Sequence, residues 1–330
     1  MKILITGGSG FIGTNAIKAL ASSQDEVLNY SLDAPLDSSQ EPHWLQGDIL
    51  DPAATTAAFR EFQPAWVLHL AARADCDENT TVEMGYRVNT EGTQHVLDAI
   101  RATPSVQRAI ITSTQFVCGP GPLPKNDTDY FPATVYGQSK VITEQLTRAA
   151  DLPCCWTIVR PTNIWGPWHL RYRREFWRVL QRGMYLHPGS APVIRSYGYV
   201  KNVVHQMRRI FELPEENVSG RTLYLGDRPA NLLHWVNGFS RALAGRDVRI
   251  APRPLMRALA LLGDIPTRAT GRAFLINSSR YRSMITNYDT PMAPTFDLLG
   301  DNPCTLQQGV DETIAWLKSY RGSDRLSGGA

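Results

Sequence analysis

The sequence is short of the features that would place it in several large classes. Its five cysteines, Cys76, Cys118, Cys154, Cys155 and Cys304, show no C-x-x-C spacing. That argues against a disulfide framework or a zinc site and for reduced thiols. The seven histidines form no H-x-x-x-H or H-E-x-x-H pattern, so no metal site is expected. No apolar run approaches the ~18–20 residues of a membrane span. The nearest, LMRALALLGDIP, is short and contains Arg257. A formal net charge of +3 gives no bulk argument for a nucleic-acid or membrane partner. The opening MKILITGGSGFIG runs straight into glycines without the apolar core of a signal peptide. A cytoplasmic protein with neither partner is the expectation.

What is present describes an ordinary globular protein, 43% apolar and 20% charged. A chain of 330 residues suggests two domains. The first half alternates apolar strands with helical patterns. KILIT, EVLNY, HWLQGD, AWVLHLAA, RAIITST and CWTIVRP read as strands. Helices are expected at IGTNAIKALASS, DPAATTAAFREF (Asp51 as N-cap), NTEGTQHVLDAIRAT and YGQSKVITEQLTRAA. Nearly continuous apolar strands between helices imply a parallel sheet covered on both faces. The expected fold is α/β, a doubly wound parallel (Rossmann) sheet with a second, smaller mixed α/β substrate lobe. The nucleotide-binding domain is expected at 1–163, with a return near 195–215. The substrate lobe takes 164–194 and 216–320, and 321–330 form a flexible tail. In the second half, RTLYLGD reads as a strand, and NLLHWVNGFSRALAG and TLQQGVDETIAWLKSY as helices.

ITGGSGFIG joins the first strand to the first helix, with Gly7, Gly10 and Gly13 three apart. Gly7 permits a tight turn, Gly10 lets backbone approach a pyrophosphate, and Gly13 lets helix pack on strand. The helix start adds a partial positive charge of ~0.5 e, which suits an anion. VYGQSK places Lys140 one helical turn after Tyr136. Alone that pair is a common piece of helix surface. Whether it is instead an activated phenol with its tuning cation depends on what else the chain carries; a nearby ammonium would favour the phenolate of a group whose pKa is ordinarily ~10.

TGGSGFIG, GDILD, HLAAR, VNTEGT, ITSTQFVCG, YGQSK and RPTNIWGP occur in this order. Together they resemble the extended short-chain dehydrogenase/reductases, in their nucleotide-sugar epimerase/dehydratase branch, with the 4-epimerase pattern nearest. The resemblance implies an NAD-dependent enzyme (NADP as alternative) that transfers hydride at sugar C4, acts on a nucleotide sugar and forms a homodimer. It implies Tyr136 as acid/base, Lys140 as the cation that tunes it, and Thr114 on the reacting hydroxyl, with Ser113 the neighbouring alternative. Cofactor contacts would fall on Gly7, Gly10, Phe11, Ile12, Gly13, Ser31, Asp33, Asp48, Ile49, Leu70, Ala71, Ala72, Arg73, Asn89, Ser113, Tyr136, Lys140, Pro161 and Thr162. Asn89 could equally be an N-cap. Substrate contacts would fall on Thr114, Asn163 and Arg195.

Four departures matter. The acid that selects NAD at the end of strand two falls on Ser31, with Asp33 two residues on. Yet 27–42 hold no Lys or Arg for a 2′-phosphate, which favours NAD. Where 4,6-dehydratases carry Asp-Glu, this chain has Gln115 and Phe116, so dehydration is not expected. Cys118 replaces the usual tyrosine of VYG and reads as a buried small hydrophobe. The late arginine motif has only Arg280 and Arg282 as substitutes. Arg171, Arg173, Arg174, Arg178 and Arg182 read as a solvated face of a basic, aromatic helix. His69 reads as structural, and a ketone reductase remains the alternative function.

Overall fold

The computed structural model describes residues 1–21, 25–270 and 276–320. The expected tail at 321–330 lies outside the described residues, as do Ser22 and Ser23 of the first expected helix. Among the described residues, seven strands form one sheet: β1 (Lys2–Thr6), β2 (Glu26–Ser31), β3 (Trp44–Gln46), β4 (Trp66–His69), β5 (Arg108–Thr112), β6 (Cys155–Pro161) and β7 (Arg221–Leu225). Their order is β7-β6-β5-β4-β1-β2-β3, and every neighbouring pair is parallel. Ile3, Leu4, Ile5, Val67, Leu68, Ile111, Ile158 and Val159 are all about fully buried, which needs cover on both faces. Helices α1 (Phe11–Leu20), α2 (Pro52–Phe62), α3 (Arg87–Arg101), α4 (Val135–Ala149) and α5 (Val200–Glu212) supply it. On one face α2, α3 and α4 pack side by side, over Leu4, Val67 and Ile111; α1 and α5 pair with each other. Asp51 caps α2 by accepting the Ala54 amide at 3.0 Å.

The strand order reverses between β1 and β4. In doubly wound sheets that point opens a crevice beyond the carboxyl ends of the strands. Here the crevice is bordered by the glycine turn after β1 and by Leu70–Ala72 after β4. Leu70 donates to the Thr6 carbonyl at 3.0 Å, and Ala71 to the Thr6 hydroxyl at 3.3 Å.

The strand expected in the smaller lobe at 221–227 is instead the edge of the large sheet, in register with β6 from Arg221 opposite Thr157 to Leu225 opposite Pro161. Its partner lies 64 residues earlier in the chain, Thr157 opposite Arg221, so local pattern could not join them. The contacts divide the chain into two units. The sheet unit takes Met1–Ile164, Ser196–Pro229 and Tyr288–Pro303. It therefore includes 216–229 and 288–303, which the sequence reading gave to the lobe. The other unit takes Trp165–Arg195, Ala230–Asn287 and Cys304–Ala330.

The smaller unit has an aromatic core. Trp165 and Trp177 are buried; Trp165 meets Phe239 at 5.1 Å, Trp235 meets Phe239 at 4.9 Å, and Phe176 stacks on Trp235 at 5.3 Å. Leu186–Pro188 pairs with Arg249–Ala251 in parallel, and Ile194–Arg195 with Ala230–Asn231 antiparallel. Helices Leu232–Ala244 and Leu306–Ser319 fall where the pattern placed them. The basic segment is not one regular helix: its middle, Arg173–Trp177, is a π-helix. The wider turn lets two successive aromatics, Phe176 and Trp177, both meet helix Leu232–Ala244. Helix Arg253–Thr270 was read only as an interrupted apolar run. It passes through Gly263 and Pro266, which the pattern counts as breakers. Among the described residues, no helix is long and apolar enough to cross a membrane.

Candidate functional site

The site grows from the register between the end of β5 and helix α4. The Thr134 hydroxyl caps α4 by accepting the Gly137 amide at 2.9 Å. That start sets Tyr136 and Lys140 one turn apart on a buried face, 8% and 2% exposed. Three consecutive residues of the strand end then meet the helix. The Thr112 carbonyl accepts from Lys140 Nζ at 2.8 Å. The Ser113 hydroxyl donates to Glu144 Oε1 at 2.6 Å. The Thr114 hydroxyl accepts the Phe116 amide at 3.3 Å and lies close enough to the Tyr136 phenol to act on its titration. Thr114 thus lies near Tyr136, Lys140 is held one turn further on, and Ser113 is turned to a different partner.

Burial pushes the Tyr136 phenol well above its usual range; the nearby Thr114 hydroxyl opposes this, and Cys76 and Tyr86 add to it. The rings of Tyr86 and Phe116 each lie 6.1 Å from the Tyr136 ring. Burial also pulls Lys140 down to about 8, with Glu144 partly restoring it. The expectation that Lys140 lowers the phenol is corrected here. Lys140 is held on a backbone carbonyl, and desolvation dominates the tyrosine.

Glu144 was not singled out by sequence reasoning, although it lies four residues after Lys140 on the same face. It is fully buried and paired with Arg160, Nε to Oε1 at 2.7 Å and Nη2 to Oε2 at 2.8 Å. Tyr130 donates to the same carboxylate at 3.0 Å. Tyr224 accepts from Arg160 Nη1 at 3.1 Å. Asn89 does not cap a helix, since it is the third residue of α3. Its amide donates to the Arg73 carbonyl at 3.0 Å and to Ser139 at 2.9 Å, and its oxygen accepts the Arg73 amide at 2.8 Å. It ties the loop after β4 to α4. The Arg73 side chain is committed to Asp75 and Asp77 at 2.7 and 3.0 Å. Tyr86, three residues before Asn89, was also missed; it donates to Asp75 at 3.1 Å.

The glycine turn can be tested as a cradle. Gly7 has φ +71°, and a Cβ there would lie 2.6 Å from the Ala71 backbone. A Cβ on Gly13 would collide with Gly8 and with the Gly7 carbonyl. The protein's own packing therefore requires both glycines. Gly10 differs: a Cβ there would meet only the Gly7 carbonyl, at 3.3 Å, and the residue is exposed. The space beside Gly10 is one that a side chain would fill and the protein does not. Gly10 heads α1 with no side-chain cap, so Phe11, Ile12 and Gly13 offer a helix N-terminus to that space. A pyrophosphate fits it. Beneath the turn, His69 meets the Thr6 hydroxyl at 2.7 Å and Thr93 at 3.1 Å. Burial pulls this histidine down to about 3, so it stays neutral.

Ser31 ends β2 with its hydroxyl committed, donating to Asn29 at 2.6 Å and accepting from the Ser9 amide at 3.2 Å. Asp33 is exposed. Asp48 accepts the Leu50 amide at 2.9 Å, and Ile49 is buried. Pro161 and Thr162 follow at the carboxyl end of β6, where the buried Thr162 hydroxyl has no hydrogen-bond partner. Asn163 belongs to the sheet unit and is half-buried. Arg195 belongs to the smaller unit, where it donates to the carbonyls of Ser283 and Thr286 at 3.0 and 3.2 Å. Cys118 is buried, its thiol raised by desolvation and donating to the Asp129 carbonyl at 3.4 Å. Gln115 is fully buried, and neither atom of its amide has a partner.

Comparison with known proteins fits this geometry. The family model for the NAD dependent epimerase/dehydratase family matches residues 3–226. The chain is 26% identical over 337 residues to the N-acetyl-alpha-D-glucosaminyl-diphospho-ditrans,octacis-undecaprenol 4-epimerase of Escherichia coli O157:H7, across 96% of this chain and 95% of that one. It is 30% identical over 204 residues to the dTDP-glucose 4,6-dehydratase of Salmonella typhimurium, across 51% of this chain and 56% of that one. In structure it resembles the UDP-glucuronic acid 4-epimerase of Bacillus cereus, solved in complex with UDP-glucuronic acid and NAD. The TM-score is 0.72 at 17% identity, covering 96% of this chain and 99% of that one. That last likeness is one of fold.

Proposed function

The chain belongs to the NAD dependent epimerase/dehydratase family, and we propose that it is a 4-epimerase of a sugar carried on a diphosphate. The observation that carries this reading is the register at the end of β5, with Lys140 on the Thr112 carbonyl and Tyr136, one turn before it, buried near Thr114. Thr114 would hold the C4 hydroxyl. Tyr136 would take its proton and later return it. Lys140, held on the Thr112 carbonyl, would supply positive charge one helical turn from Tyr136. NAD, when bound, supplies a hydride acceptor that gives the hydride back. The residues fit it: the space beside Gly10, the uncapped start of α1 and the orphaned Thr162 hydroxyl. Because burial raises the phenol, Tyr136 is an acid until a further positive charge is bound near it.

Two finer points belong to the same reading. The family also contains dehydratases, and this chain resembles one over half its length. Abstraction of the C5 proton and expulsion of the 6-hydroxyl need a base and an acid. An amide and a phenyl ring, Gln115 and Phe116, occupy the place expected for them, so we infer that the chain does not dehydrate. The carrier of the sugar is either a nucleotide or a polyprenol. The second is favoured by the near full-length match to an undecaprenol-linked 4-epimerase. A cytoplasmic homodimer completes the reading.

The test is incubation with NAD and UDP-, GDP-, dTDP- and polyprenyl-diphosphate sugars, followed by mass spectrometry and chromatography. An isomer of unchanged mass supports the proposal. Loss of water from any substrate overturns the exclusion of dehydration. In a parallel incubation with NADPH and a keto sugar, a product that gains two hydrogens as NADPH is oxidised supports the ketone reductase instead.

A further inference from the structure

Helix Arg253–Thr270 of the smaller unit has two apolar faces, and only one is covered. Met256 and Ala260 are 0% and 1% exposed, and Gly263 is buried. On the other side Leu255, Leu261, Leu262 and Ile265 are 51%, 57%, 63% and 65% exposed, and Ala258 is exposed with them. At about 100° per residue, these five positions fall within an arc of about 120°. Scattered exposed leucines are ordinary, but a continuous stripe on one helix marks a contact surface.

The charge of the surrounding segment of sequence says what it contacts. From 246 to 282 the chain has eight arginines, two aspartates, and no lysine or glutamate. The whole protein carries only +3, so the rest of the chain is net negative. Both aspartates are already engaged. Asp264 accepts from the Ser278 amide at 2.9 Å and the Ser278 hydroxyl at 2.5 Å, and Asp247 is paired with Arg241. Arg253 and Arg257 are exposed on the helix itself.

We propose that this face docks the protein on an anionic lipid bilayer. The helix lies in the plane of the interface, its leucines and Ile265 at the boundary of headgroups and acyl chains and its arginines on phosphate groups. This is the pattern of an interfacial helix, in which buried apolar area and attraction to anionic lipid act together. Arginine suits the border because its stem can lie on apolar surface while its head reaches the phosphates. A second copy of the chain is a poorer occupant, since pairing two such faces would bring two arginine-rich segments together. The inference rests on the helix and its charge, and stands apart from the proposed reaction.

The experiment is flotation of the full chain with vesicles of phosphatidylcholine, with and without ~30 mol % phosphatidylglycerol. Wild type should float at least ~10-fold more with the anionic vesicles, and high salt should weaken this by screening. The double variant Leu262→Glu with Ile265→Glu should lose at least ~10-fold of that binding, and Arg257→Glu roughly 3-fold. Circular dichroism and melting should not change, because these side chains are already exposed; if the glutamates disturb folding, Leu255→Asn with Leu262→Asn replaces them. Equal flotation with neutral and anionic vesicles, or unchanged flotation of the variants, overturns the proposal. Conversion of a dimer to a monomer by the variants, with vesicle binding intact, overturns it in favour of a second copy.

Discussion

The two units are built on different interiors. The sheet unit buries polar and charged groups, and its charged ones and several others find an answer close by: Lys140 on the Thr112 carbonyl, Glu144 on Arg160, Asn89 on Arg73 and Ser139, His69 on Thr6 and Thr93, while Gln115 and the Thr162 hydroxyl are exceptions. The smaller unit buries rings, with Trp165, Trp177, Trp235, Phe176 and Phe239 packed edge and face. Directional partners fix a residue by type and position, because a lost partner strands a buried polar group. Packed rings fix volume and shape, which several residues can supply. The first kind of interior holds a reacting group in place. The second kind holds a surface together.

The largest expected effect separates chemistry from both interiors. Tyr136→Phe removes one oxygen and leaves the ring among Tyr86 and Phe116. It should lower kcat by ~10²–10⁴-fold, the usual worth of a positioned acid or base. NAD affinity by calorimetry and the melting temperature should hold. Turnover within ~10-fold of wild type would place the proton transfer elsewhere.

The next prediction sets one interior against the other. Glu144→Gln removes the charge that answers Arg160, a guanidinium 1% exposed. Breaking a buried pair from one side costs about 3–5 kcal/mol, because the remaining charge is stranded. In the smaller unit, Trp235→Phe shrinks a ring but strands no charge, and should cost about 1–2 kcal/mol. Chemical denaturation of both variants measures the gap. Equal losses would mean that the two interiors do not differ in the way described.

The same difference decided what the sequence made legible. β1, β4, β5 and β6 were readable as nearly continuous apolar runs, and α1 to α4 as helical patterns between the strands. Gly7, Gly13, Tyr136 and Lys140 were readable because close packing and one helical turn demand those residues at those spacings. The pair Glu144–Arg160 was not, since a contact between positions sixteen apart leaves no local pattern. Asn89 looked like a cap because asparagine near a helix start usually is one; its real partners, Arg73 and Ser139, come from a loop and another helix. β7 was misplaced because its partner strand is distant in the chain. Helix Arg253–Thr270 was hidden by a glycine and a proline, and with it the exposed stripe. The near-neutral total charge concealed the arginine-rich segment in the same way, by averaging over two unlike units.

Acid should weaken the sheet unit through His69. Its folded pKa is about 3, below the unfolded value of about 6.5. A depressed base contributes stability that is fully present above pH 6.5 and is lost as pH falls towards 3. The slope is about 1.4 kcal/mol per pH unit in that window. Asp227 works the other way between about 4 and 6, because burial raises it to about 6. The difference between wild type and His69→Asn, measured by denaturation at several pH values, isolates the histidine. A pH-independent difference would mean that His69 takes up its proton in the fold without cost.

The smallest expected effect concerns Asp33, an exposed carboxylate just past the end of β2. NAD and NADP differ by a 2′-phosphate, and a carboxylate near the ribose discriminates by repelling it. Ser31 stands where that acid is expected, but its hydroxyl already serves Asn29 and Ser9 beneath the glycine turn. Asp37 has a local duty as well, since its side chain caps the turn that starts at Ser38. Asp33 is exposed and lies two residues past the strand end. No Lys or Arg occurs from 27 to 42 to attract the phosphate. Discrimination therefore falls to Asp33, acting across solvent, where single charges are worth little and salt screens them. Asp33→Ala should tighten NADP by about fivefold at low salt and change NAD by less than about twofold. Calorimetry with both nucleotides at two ionic strengths measures it. If NADP binds the variant no better than wild type, selection rests on the shape of the crevice and not on this charge.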